Sequence, residues 1–252
     1  MTLESLLRRD RAVVAGGLVA VTALAWLYLL RMARHMDMAD RMTMAHPMGG
    51  AEVVLTFLMW AVMMVGMMMP AAAPMVLVFA TIHRKRVESG GSAVPAGIFV
   101  AGYLAIWAAV SLVATLTQLG LERAAALSPQ TLAATPFAGG VLLIVAGLYQ
   151  LTPLKSVCLS RCQSPLGFIL SEWREGTRGA FVMGLRHGIF CAGCCWALMA
   201  LLFVAGVMNL LWVAALAAFV LVEKLVPHRQ LVSWTAGAGL IGWGIWVLAR
   251  VA

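Results

Sequence analysis

Gly184-Leu185-Arg186-His187-Gly188-Ile189-Phe190-Cys191-Ala192-Gly193-Cys194-Cys195-Trp196 stands where a basic segment gives way to a long apolar run that ends near Asn209. A run of that length and apolarity predicts a membrane-spanning helix. At roughly 100° per residue, His187 sets zero, Cys191 falls near 40°, Cys194 near −20° and Cys195 near 80°. One imidazole and three thiols therefore share one stripe, at the mouth of an apolar helix. Donors of this softness suit a soft metal ion. Packing alone competes as an explanation, since Cys also serves as a small apolar residue in buried helices. Upstream, Cys158 and Cys162 stand four apart, and these five are all the cysteines of the chain.

Composition carries the reading outward. Of 252 residues, 63% are hydrophobic and 11% charged, with mean hydropathy +0.95. Soluble domains carry about 25% charged residues, so the expectation is an all-α, polytopic membrane protein, a single transmembrane helical domain over 1–252. The net charge of +8 implies no nucleic-acid partner, because basic residues of membrane proteins gather in cytoplasmic loops. No cysteine falls in the segments placed outside, and no disulfide framework is implied.

Apolar runs predict about seven transmembrane helices, over 12–30, 52–83, 96–119, 139–154, 181–206, 210–226 and 231–248. The third contains no charged residue and reads as scaffold. Pro70 is expected to kink or end the second. A tight turn at Gly206-Val207-Met208-Asn209 joins the fifth to the sixth. Most Lys and Arg, including Arg8, Arg9, Arg11, Arg84, Lys85, Arg86, Lys155, Arg186 and Lys224, fall in segments placed inside. That bias puts the N-terminus in the cytoplasm. The thiols then lie on the cytoplasmic side, with a Cys-containing cytoplasmic segment over 155–186. Glu223, Lys224 and His228, at the inner end of the sixth span, either neighbour the thiols or pair at the interface. No internal repeat suggests an inverted-repeat transporter.

Seventeen methionines are the second anomaly. Six of them lie in an outer segment, 31–50, with His35, His46, Asp37 and Asp40; thioether and imidazole together suit Cu(I). An amphipathic interfacial helix would use the same residues differently. In the second span Met59, Met63 and Met67 repeat at i, i+4, i+8 and form a thioether ladder on one face. The ladder is reminiscent of the Met-x-x-x-Met filter of eukaryotic-type copper transporters, a likeness of one motif and not of a fold. Thioethers survive an oxidising compartment and thiols persist in a reducing one. The donor order therefore favours Cu(I) moving inward to stronger ligands. Arg186, beside the stripe, would favour the thiolate form. Tetrahedral zinc on Cys158, Cys162, His187 and Cys191 is the structural alternative.

The run Leu148-Tyr149-Gln150-Leu151-Thr152-Pro153-Leu154-Lys155 with Cys158 and Cys162, the segment from Ser164 to Phe168, and the stretch quoted above carry a resemblance. With Met63-Met64 and Met67-Met68-Met69-Pro70, they resemble a bacterial family of predicted metal-binding integral membrane proteins of unknown function. The resemblance implies membrane location and a metal site on Cys158, Cys162, His187, Cys191, Cys194 and Cys195. The expected function is metal handling: Cu(I) binding and transport in the bacterial inner membrane, or delivery to a membrane metalloenzyme, with a metallochaperone as another partner. Three alternatives stay open: a membrane thiol oxidoreductase, a mercuric-type ion transporter, and a structural membrane subunit stapled by zinc. Cys191-Ala192-Gly193-Cys194 has redox spacing, so catalysis stays open although the pattern does not require it. Direction of movement and oligomeric state are not readable from the sequence.

Overall fold

A computed structural model describes residues 3–39, 50–90, 94–128 and 132–251. Long helices are α1 (Leu3–Ala39), α2 (Gly50–Glu88) and α3 (Ala96–Arg123), followed by the shorter α4 (Pro136–Gln150). Two short helices, α5 (Pro153–Gln163) and α6 (Pro165–Glu172), lead into α7 (Gly176–Ala200) and its continuation α8 (Leu202–Ala205). The chain ends with α9 (Leu210–Leu225) and α10 (Arg229–Ala249). The all-α expectation holds.

The span count is lower than expected. Among the described residues five helices are long and apolar enough to cross a membrane, and six if the bent pair is one span. Two of the seven anticipated spans account for the difference. α4 stops at Gln150, and α5 leaves it at 66°. Pro153 begins α5, with Thr152 capping through its hydroxyl, so the chain restarts instead of continuing. α9 has 16 residues, a length of roughly 24 Å against a hydrocarbon core of about 30 Å.

Close contacts between helices come from glycine. α3 and α7 cross where Gly102 faces the Phe181 carbonyl and Gly184 faces that of Phe99, too near for any side chain. α4 and α10 meet similarly, Gly147 opposite Gly237 and Gly140 opposite Gly244. Small residues let apolar helices approach backbone to backbone, where dispersion does the holding. The turn after α8 uses Gly206 at φ 93°, and Asn209 caps α9 by accepting from the Trp212 amide. That turn matches the sequence reading.

Pro70 neither ends nor splits α2, which runs unbroken through Pro70 and Pro74. Proline at 70 removes the donor that would bind the Gly66 carbonyl. Trp26 Nε1, from α1, donates to that carbonyl at 3.2 Å instead. A neighbouring helix thus restores the lost bond, as dry surroundings require. α1 itself continues through the first part of the outer Met/His segment as far as Ala39.

Candidate functional site

The stripe on α7 is buried as its phase dictates. His187, Cys191, Cys194 and Cys195 are each at most 1% exposed, whereas Ile189 and Trp196, on the opposite face, are largely open. Cys191 lies well inside the helix, not at its mouth: fifteen residues, or roughly 22 Å, separate it from the start at Gly176. Cys194 and Cys195 donate their thiols to the Cys191 carbonyl at 3.0 and 2.9 Å. This back-bonding folds both sulfurs toward the same turn of helix.

The upstream pair divides. Cys162 is buried, on a helix that packs against α7, close enough to Cys191 and Cys194 for the thiols to interact. α5 packs on α7, so a residue far away in sequence is buried beside the helix that carries the other thiols. Cys158 is only half-buried, and its sulfur lies over Gly193, where a side chain would displace it. All five cysteines are free.

Two polar groups converge on the Cys191 sulfur. Lys224 Nζ, from the last turn of α9, donates at 2.9 Å, and the Tyr103 hydroxyl of α3 lies at 3.1 Å. Tyr103 also donates to the Met68 carbonyl at 3.1 Å, which ties α2 into the same point. Arg186 does not have the role its sequence position suggests. It lies about 140° around α7 from Cys191, exposed, and pairs with Glu172. Adjacency in sequence placed the wrong cation; α9 supplies the right one.

Below Lys224 sits a second buried network. Lys155 and Glu223, both 1% exposed, pair at 2.5 Å. Ser233 donates to the same carboxylate at 2.6 Å, and Lys155 also donates to Gln150. Gln163 Nε2 donates to the Glu223 carbonyl at 2.6 Å. Lys155 and Lys224 are therefore interior side chains and not the loop charges of the sequence count. A cleft of about 330 Å³, lined by Gln150, Ser156, Arg229 and Ser233 among others, opens beside this network. His228 is exposed and joins neither group.

His187 is the unexplained polar residue. Its ring is enclosed by Tyr103, Phe168 and Phe99 at centroid distances of 5.5, 5.6 and 6.0 Å. Neither ring nitrogen has a hydrogen-bond partner among the described residues. A fully buried imidazole without a protein partner is the kind of group that an ordered water, an ion or a ligand satisfies.

Met59, Met63 and Met67 are 5%, 2% and 1% exposed and belong to the core, as do Met64, Met68 and Met69. α2 is thus lined with thioethers around much of its circumference, and Met68 stands beside Tyr103. His35 lies on the helical backbone of α1, but its side chain, and His46 altogether, are outside the described residues.

No group of three or more His, Cys, Asp or Glu side chains among the described residues is arranged to hold a metal ion. A tetrahedral zinc site needs four converging ligands, so the zinc reading has no group to rest on. Cu(I) accepts as few as two soft donors, and a thiolate-rich set selects for it. Tyr103, Lys155, Gln150, Gln163 and Ser233 were not singled out from the sequence. Lys155 follows Pro153 like an ordinary end-of-span cation, and Tyr103 sits in a span without charge. Only Glu223 and Lys224 carried a usable signal, as ionisable residues inside an apolar segment.

The fold and site define a helical protein with apolar, membrane-length helices around a buried sulfur-rich centre. A family model described as "PpoB2: Copper chaperone" matches residues 57–247. The chain belongs to that family, which takes in every element from the thioether ladder to α10. No curated protein and no solved structure matches the chain.

Proposed function

We propose that this protein is a membrane-embedded Cu(I) chaperone. In this reading it takes up Cu(I) on the thiols of Cys191, Cys194, Cys195 and Cys162, with His187 beside them, and passes the ion to a membrane metalloenzyme. The observation that carries the reading is the burial of Cys162, on the separate helix α5 packed against α7, together with Cys191, Cys194 and Cys195 in a dry interior. Free, buried thiols on two packed helices, one of them bonded by a buried lysine, support a soft-ion centre, and the family description supports copper as the ion. Thiolate strongly prefers Cu(I) to Mg(II) or Ca(II), which take oxygen ligands. Met59, Met63 and Met67 are proposed as the approach, since they are buried on α2, whose Met68 carbonyl accepts from the Tyr103 hydroxyl that touches the Cys191 sulfur.

Core packing explains each methionine equally well, so the approach is tested apart from the centre. Met63→Leu with Met67→Leu keeps volume and apolarity and costs little stability. The expected result is slower copper loading in cells for the double variant and loss of bound copper for Cys191→Ser. Unchanged loading with the double variant and lost copper with Cys191→Ser would reduce the ladder to core. Copper unaffected by Cys191→Ser would overturn the thiol centre itself.

A further inference from the structure

We propose that Lys224 is the built-in counter-charge of the thiol centre and biases it toward monovalent soft ions. The proposal rests on the Cu(I) reading above and deepens it.

The argument is one of charge balance. Lys224 is 8% exposed, and its ammonium group donates to the Cys191 sulfur at 2.9 Å. Its sequence neighbour Glu223 cannot neutralise it, because that carboxylate is already held by Lys155 at 2.5 Å and Ser233 at 2.6 Å. The nearest basic residue of α7, Arg186, is exposed and paired with Glu172. One positive charge therefore stands at the sulfurs with no carboxylate partner among the described residues. Burying net charge in an apolar interior is costly. A Cu(I) ion on two thiolates carries −1, and Lys224 brings that assembly to zero. A divalent ion on the same two thiolates is already neutral, and Lys224 leaves it at +1. For equal ligand sets, the lysine thus helps a monovalent ion relative to a divalent one by one full charge interaction at close range.

The test uses full-length protein in detergent, without oxygen, and competes metal against a chelator. Probes are Cu(I), redox-inert Ag(I) and divalent Cd(II). Lys224→Gln removes the charge and keeps an N–H donor on a side chain one bond shorter; Lys224→Met is a second neutral variant, and Lys224→Arg retains the charge. The expected result is a fall in the Ag(I)-to-Cd(II) and Cu(I)-to-Cd(II) affinity ratios, on the order of tenfold or more, in either neutral variant that elutes as folded protein. Lys224→Arg should hold the wild-type ratio. Unchanged ratios in the neutral variants would overturn the proposal, as would an equal loss in Lys224→Arg, which would mark Lys224 as structural. Wild-type protein that binds neither Cu(I) nor Ag(I) would instead overturn the copper reading, so the two failures are distinguishable.

Discussion

Replacing Glu223 by Gln tests how the centre is held in place. The side chain is nearly isosteric, and Ser233 retains an acceptor, so the perturbation is concentrated on Lys155. That ammonium is 1% exposed and loses its only anionic partner among the described residues. Removing one member of a buried pair costs about 3–5 kcal/mol, because the other charge stays buried and uncompensated. For a chain of this size each kcal/mol moves Tm by about 2–4 °C, so a fall of roughly 6–20 °C is expected. Lys155→Met alone should cost a similar amount. The double variant Lys155→Met, Glu223→Gln removes both charges and leaves Gln150 with less to bind, a loss of about 1–3 kcal/mol. Thermal unfolding in detergent of the four proteins gives the cycle. The double variant should be more stable than either single one. Additivity of the two single losses to within about 0.5 kcal/mol would refute the coupling and leave α9 held by packing alone.

Gly184→Ala places a methyl group on the Phe99 carbonyl, where backbone cannot yield, and should destabilise the α3–α7 crossing by about 1–3 kcal/mol. Gly239→Ala in α10 meets nothing within 4 Å and should be neutral or stabilising by up to about 1 kcal/mol; equal effects at the two sites would refute the close-crossing account. In permeabilised membranes a maleimide should modify Cys158 well before the other cysteines, because it alone is half-exposed, and mass mapping that shows Cys191 reacting first would contradict the buried centre. Tyr103→Phe loses the bonds to Met68 and Cys191 and should cost about 1 kcal/mol in unfolding free energy; no loss would remove Tyr103 from the centre.

Much of the site was legible because a helix's phase can be computed from spacing alone. The 3.6-residue period put His187, Cys191, Cys194 and Cys195 on one buried face, and the thioether ladder likewise turned inward. Long-range partners were not legible in detail. Cys162 reaches the stripe only because Pro153 and Pro165 break the segment into two short helices that fold back on α7. Lys224 reaches Cys191 because α9 is short and ends inside the protein, and its alternative role as an interfacial charge has the same sequence. Arg186 misled for the opposite reason: five residues along a helix is most of the way to the other side. Pro70 does not end its helix, and hydropathy along one helix cannot reveal Trp26 on another donating to the freed carbonyl. The span count failed where the Thr152-Pro153 cap restarts a helix after α4, and at α9, whose 16 residues are too few to cross.

The most direct test of the thiol centre is X-ray absorption at the copper edge on protein loaded with one equivalent of Cu(I), compared with Cys191→Ser. The expected spectrum is that of Cu(I) with two or three sulfur neighbours in the wild type, with copper lost from the variant or its sulfur shell reduced. A coordination sphere of nitrogen and oxygen only, or a spectrum unchanged by Cys191→Ser, would contradict the assignment of copper to this centre.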